Sequence, residues 1–180
     1  MDRIWLVINY NLPTEPSRHR VATWRGLKKL GAVNIQQSMW ILPYSDENIA
    51  SLTKISQDIE ANHGESLLIE SQFMVKKQED RVVSLFNQVR DEEYGEFVRE
   101  CEKYLKEIEK EITQEKFIFA ELEEEEGEFE KLTAWYRKIE IRDKFNAFQG
   151  EKAREILAQI RDAYERYSKM VYSHEMKGRE

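Results

Sequence analysis

Cysteine is almost absent from this chain. Cys101 stands alone, which excludes an internal disulfide and leads to the expectation of a reducing, cytoplasmic location. Proline and glycine are scarce, with 3 and 7 residues among 180, and charged residues make up 35%. That composition argues against disorder and favours a helix-rich soluble protein. No apolar run approaches the roughly 20 residues that would cross a bilayer, so no membrane partner is expected. The N-terminus enters a strand-like run directly, and no leader peptide is expected. His19, His63 and His174 occur in no ligand spacing, and there is no CxxC, glycine-rich phosphate loop or GxSxG. No metal, no cofactor and no catalytic residue are therefore expected.

What is present is unevenly placed. Residues 1–87 hold 10 Lys and Arg against 10 Asp and Glu, whereas residues 88–180 hold 18 against 25 and so carry the whole net charge of −7. An acidic whole argues against non-specific nucleic-acid binding as the main activity, yet leaves room for one local basic patch.

Residues 3–11 are rich in Ile, Val, Trp and Tyr and predict a strand, ended by Leu12-Pro13. Thr14, Pro16 and Ser17 then open a helix over 17–30 that Gly31 stops. Ala32 to Gln37 and Ser38 to Leu42 predict two strands, or one that bends. Asp46 is the expected N-cap of a second helix, carried by Ile49, Leu52, Ile55 and Ile59 and ending near Asn62-His63-Gly64. Ser66 to Phe73 is the last strand. The order is β-α-β-β-α-β, the split ferredoxin-like pattern.

Beyond Gln78 the texture changes to helix. Tyr94, Phe97, Cys101, Tyr104 and Ile108 keep 3-4-3-4 spacing, the seam of a helix packed along another. A second helix carries Phe129, Leu132, Trp135 or Tyr136, and Ile139. A third carries Ile156, Leu157, Ile160, Tyr164, Tyr167 and Val171. Residues 173–180 are polar and expected to fray. The fold class is thus α+β, with a ferredoxin-like lobe over 1–78 and a three-helix antiparallel lobe over 79–180.

Two sets of residues could carry chemistry. At 100° per residue, Arg18, Arg25 and Lys29 lie within about 20° of one line on the first helix. Such a stripe suits phosphates or another anion, or is an ordinary solvated face. Arg20 falls with Trp24 and Leu27 on the expected apolar side, where a charge must pair or reach out to water. It would tie the helix to strand ends or make an anion site near the first and third strands. The second set is Arg90, Glu93 and Tyr94 with Arg142 and Asp143. Two helices packed antiparallel would set Arg90 or Arg142 against Glu93 or Asp143, as a ligand site or as an interhelical salt-bridge cluster. Asn9 and Asn11 end the first strand where acids could bind a divalent metal, but amides supply no charge. Cys101 on the seam reads as a core thiol rather than a redox sensor. The run Glu123–Glu126 reads as a solvated face rather than a docking tail.

Several short stretches in this order resemble a known family. Trp5-Leu6-Val7-Ile8, Leu12-Pro13, Arg20-Val21, Trp24-Arg25, Leu30-Gly31-Ala32-Val33, Ser38 to Pro43, Glu92-Glu93-Tyr94 and Arg142-Asp143-x-Phe145 are similar to the N-terminal domain of ChrB-type chromate-resistance proteins. The resemblance implies a non-catalytic accessory or chromate-responsive regulator that holds an oxyanion such as chromate, or a macromolecular partner, through arginines. Longer members carry a further C-terminal domain, so a stand-alone N-terminal module is expected here. More distantly, Arg20-Val21, Leu30-Gly31 and Gln37-Ser38 to Trp40 resemble the ferredoxin-like domain of PaaX-type repressors and the small CRISPR-adaptation nucleases. The alternatives this implies are a DNA-binding regulator and a degenerate nuclease. In the nucleases an aspartate ends the first strand, and Asn9 or Asn11 stands there in this chain. Ferredoxin-like lobes pair through sheet edges, so a homodimer is also expected.

Overall fold

The computed structural model describes residues 3–177. Nine elements follow in order: β1 Trp5–Asn11, α1 Ser17–Leu30, β2 Val33–Gln36, β3 Met39–Pro43, α2 Asp46–Ala61, β4 Glu65–Ser71, α3 Lys76–Thr113, α4 Phe119–Arg142 and α5 Gly150–Lys177. The chain divides into two compact units, Met1–Phe86 and Asn87–Glu180. The division falls within α3, a little beyond the compositional change at Gln78.

The first unit is an α+β ferredoxin-like lobe, as its β-α-β-β-α-β order predicts. Its four strands lie in the order β2-β3-β1-β4. The central β1 runs antiparallel to both neighbours, with Leu6 opposite Leu42 and Glu70, and Ile8 opposite Trp40 and Leu68. Apolar Trp5 to Ile8 are buried in that central position. α1 stops where the sequence requires: Gly31 takes φ 81°, a left-handed conformation that costs glycine little, and its N–H returns to Lys28. The second helix starts one residue earlier than expected. Its N-cap is Ser45, whose hydroxyl accepts from the Asn48 backbone N–H at 3.1 Å, and Asp46 supplies charge to the first turn.

The opening turns of α3 complete this unit. Trp5 donates its indole N–H to Glu79 Oε1 at 3.0 Å, and Phe73 and Phe86 each set a ring 5.8 Å from its own. Glu79 also pairs with Lys76 at 2.8 Å. A buried indole thus finds its polar partner and its apolar walls together.

The second unit is helical. Tyr94, Phe97, Cys101, Tyr104 and Ile108 are all buried on α3, as their seam spacing predicts. Of the two aromatics that could have faced inward on α4, Tyr136 is buried, while Trp135 packs edge-on against Phe97 from a half-buried position. The buried phenols find acceptors: Tyr104 donates to the Glu125 carbonyl at 3.2 Å and Tyr167 to the Lys116 carbonyl at 2.6 Å. α5 does not fray at 173. It continues through Lys177, since Tyr167 and Val171 anchor its last part in the core, and residues 178–180 lie outside the described residues.

Candidate functional site

The arginines of α1 are in water. Arg18, Arg20, Arg25 and Lys29 are all exposed, and none forms an ion pair with a carboxylate among the described residues. Arg20 therefore does not lie on a buried side. The face of α1 that meets the rest of the unit is carried by Thr23 and Leu27. Trp24 remains 48% exposed, with Lys28 Nζ 5.9 Å from its ring centre. A helical wheel shows which residues share a side, but not which side the sheet covers. Arg20 does approach the end of β1: burial raises the pKa of the Tyr10 hydroxyl, and the Trp40 indole and the Arg20 charge oppose that rise. Asn9, Tyr10 and Asn11, with Glu65, Ser66 and Leu67, line a shallow hollow of about 260 Å³ there. Among the described residues no three His, Cys, Asp or Glu side chains converge to hold a metal ion.

The second set behaves differently. Arg90, Glu93 and Tyr94 fall at i, i+3 and i+4 on α3 and so share a face. Arg142 ends α4 and Asp143 caps it, the Asp143 N–H returning to Ile139 and Glu140. The helical unit brings all five together. Glu93 Oε2 lies 3.1 Å from Arg142 Nη2 and 3.4 Å from Arg90 Nε, bridging two guanidiniums. Tyr94 donates its hydroxyl to Asp143 Oδ2 at 3.3 Å, and Asp143 accepts the Ala147 N–H at 3.1 Å. A side chain on Gly150 would press into this corner, with its Cβ 3.3 Å from the Tyr94 ring and 3.6 Å from Asp143 Oδ2. Glycine there lets the start of α5 come close.

Arg90 is the unusual member. It is only 2% exposed, and its Nη1 has no hydrogen-bond partner. Burial lowers its pKa, while the Glu93 charge holds it up; the guanidinium stays charged. A buried cation that has an ion pair with Glu93 but no hydrogen bond at Nε or Nη1 is incompletely satisfied. Arg142 is more accessible, at 19% of its side chain. Tyr94 and Asp143 also face an open cleft of about 650 Å³, lined further by Glu140, Asn146, Phe148 and Arg154. Burial, then the Asp143 charge, raises the Tyr94 pKa, so this phenol stays protonated and acts as a donor.

Sequence reasoning missed three residues near this corner and beside α4. Asp91 accepts the Gln149 N–H at 2.7 Å and fixes the approach to α5; its place beside Arg90 was the available signal. Arg154 hydrogen-bonds the Tyr136 hydroxyl, which itself donates to Glu140 at 3.1 Å. Glu125 corrects the reading of the acidic run. Glu123, Glu124 and Glu126 are exposed, but Glu125 is 8% exposed, and burial and the charges of Glu107, Glu111, Glu121 and Glu128 raise its pKa to about 7. It sits seven residues, about two turns, before Leu132 on the covered side of α4, a phase the run of like residues hides. Cys101 is fully buried, its thiol pushed up to about 12 chiefly by burial, as a core thiol should be.

Comparison with known proteins gives a consistent kinship. A family model described as "Protein ChrB, N-terminal" matches residues 20–178. Protein ChrB of Cupriavidus metallidurans is 31% identical over 99 residues, which cover 55% of this chain and 30% of that protein. No helix among the described residues is long and apolar enough to cross a membrane.

Proposed function

We propose that this chain, which belongs to the ChrB N-terminal family of proteins associated with chromate resistance, acts there as a non-catalytic, oxyanion-responsive module. Arg90 and Arg142 are the fork that holds the anion. The observation that carries this reading is the buried Arg90 Nη1 without a hydrogen-bond partner, beside a second guanidinium and the Glu93 carboxylate that both approach. Chromate and sulfate are small tetrahedral dianions, and paired guanidiniums offer such an anion several charge-assisted hydrogen bonds. Glu93 occupies the fork as an internal monoanion. A dianion entering past Arg142 competes for the same donors and displaces Glu93 outward, converting anion binding into a local rearrangement between α3 and α4.

The test is a thermal-shift and calorimetric titration with chromate, sulfate and phosphate on wild type, Arg142→Gln and Arg20→Ala. The expected result is stabilisation of the wild type by chromate or sulfate, lost in Arg142→Gln and kept in Arg20→Ala. No shift in the wild type with any anion, or a full shift in Arg142→Gln, overturns the reading.

A second reading has its own observation. Arg18, Arg20, Arg25 and Lys29 are exposed and lack carboxylate partners, with the half-exposed Trp24 among them. Cations interleaved with an aromatic suit a nucleic-acid backbone. Fluorescence anisotropy with duplex DNA across a salt series separates the two readings. A DNA contact predicts a steep loss of affinity with salt, and a log–log slope reduced by about 1 for each phosphate contact removed, as in Arg25→Ala.

A further inference from the structure

The two edges of the sheet are protected very unequally. β2 spans only Val33–Gln36, and its pairing with β3 shifts register between Asn34 and Gln36. A short, bulged strand is a poor template for another chain. β4, the opposite edge, is seven residues long and pairs with β1 in unbroken register from Ser71 to Glu65. It contains no lysine, no proline and no bulge. Its centre instead exposes three successive apolar side chains, Leu67 at 62%, Leu68 at 36% and Ile69 at 44%. Alternation puts Leu67 and Ile69 on one face of the sheet and Leu68 on the other.

The sequence of this strand, Glu65-Ser66-Leu67-Leu68-Ile69-Glu70-Ser71, is complementary to itself when reversed. Laid antiparallel against a second copy with Leu68 on the twofold axis, Leu68 meets Leu68 and Leu67 meets Ile69. Ser66 then meets Glu70, and Glu65 meets Ser71. Every apolar residue faces an apolar one, and neither glutamate faces a glutamate. Sliding the register by two residues in one direction sets Leu68 opposite Glu70 and Leu67 opposite Ser71; sliding it the other way sets Leu68 opposite Ser66 and Ile69 opposite Glu65. Apolar pairs are favourable, and either slide sets apolar side chains opposite glutamate or serine, so one register is selected. An isologous pairing of this kind closes on itself and leaves no free β4 edge.

We infer that β4 is a homodimerisation edge, joining two copies into one continuous eight-stranded sheet across a twofold axis at Leu68. The occupant is a second copy of this chain, because the self-complementary register asks for the same strand in reverse.

The test combines hydrodynamics with cross-linking on the full chain. Sedimentation equilibrium of the wild type is expected to give a concentration-dependent mass reaching twice that of the chain. Leu68→Lys, which puts two ammonium groups face to face on the axis, is expected to lose the dimer while keeping the wild-type far-ultraviolet circular dichroism. Because that variant could lose its fold, three cysteine variants test the register independently. Leu68→Cys is expected to form an intermolecular disulfide under mild oxidation, since directly opposed residues lie within disulfide reach. Leu67→Cys is expected not to, because its own copy in the partner lies on the diagonal, whereas Leu67→Cys mixed with Ile69→Cys restores the cross-link. A wild type that stays monomeric into the millimolar range overturns the inference. So does a dimer that a folded Leu68→Lys leaves intact, or Leu67→Cys cross-linking alone as readily as Leu68→Cys.

Discussion

In α1, Arg18, Arg20 and Arg25 extend into water with no carboxylate within ion-pair distance among the described residues. In the helical unit, Arg90 and Arg142 share the carboxylate of Glu93, and Arg90 is buried. The first unit is neutral, with 10 cationic and 10 acidic residues through position 87, yet it presents its cations openly. The second holds 18 cationic and 25 acidic residues and folds part of that charge inward. One residue type therefore serves two ends. An exposed arginine contributes little to stability and is available to a partner, whereas a buried one is part of the core and can bind only by exchanging one anion for another.

Four substitutions test how far that contrast reaches. The largest effect is expected at the apolar counterpart of the buried charges: Trp5→Ala empties the pocket walled by Phe73 and Phe86 and leaves Glu79 without its indole donor. Urea unfolding is expected to show a loss of about 3–5 kcal/mol, and a loss below about 1 kcal/mol would show that this pocket does not close the first unit. Next comes Arg90→Ala, expected to cost about 3 kcal/mol by the same measurement because a buried cation and its packing are both removed.

Glu125→Gln acts through pH. The wild-type carboxyl is raised to about 7 in the folded chain, from an ordinary value of 4.5. The folded state therefore binds a proton more readily than the unfolded state. Stability from this group is fully present below the ordinary value and is lost as pH rises through about 7. The glutamine variant lacks that decline. It is expected to match the wild type near the acid end of the window and to exceed it by on the order of 2 kcal/mol on the alkaline side, read from denaturation curves across pH. Equal pH dependence in both proteins would refute the assignment. The smallest effect belongs to Arg25→Ala, expected within about 0.5 kcal/mol of wild type; a cost as large as that of Arg90→Ala would erase the distinction between the two sets of arginines.

Local signals carried most of the fold. Gly31 ends α1, the aromatic seam from Tyr94 to Ile108 runs into the core, and the order of strands gives the split ferredoxin-like lobe. The meeting of Arg90, Glu93 and Tyr94 with Arg142 and Asp143 was also legible, because charged groups at helical spacing on two neighbouring helices have few places to go. Arg20 and Glu125 were not legible for a shared reason. Each lies on a helix whose amphipathic phase is blurred, Arg20 by an exposed tryptophan one turn on and Glu125 by glutamates on every side. Only the neighbouring elements decide which side is covered. Whether a buried arginine is fully satisfied is likewise a matter of atoms from several helices, and spacing along one of them does not reveal it.

α3 runs unbroken from Lys76 to Thr113 across the division between the two units. A linker can be cut and each half left whole, but here no residue offers such a place. A fragment ending at Gln78 strips Glu79 and Phe86 from around Trp5, and one ending at Phe86 leaves its final turn with carbonyls that the rest of the helix had satisfied. The chain is modular in its packing and indivisible in its backbone, so nicking or splitting it between the units damages at least one of them.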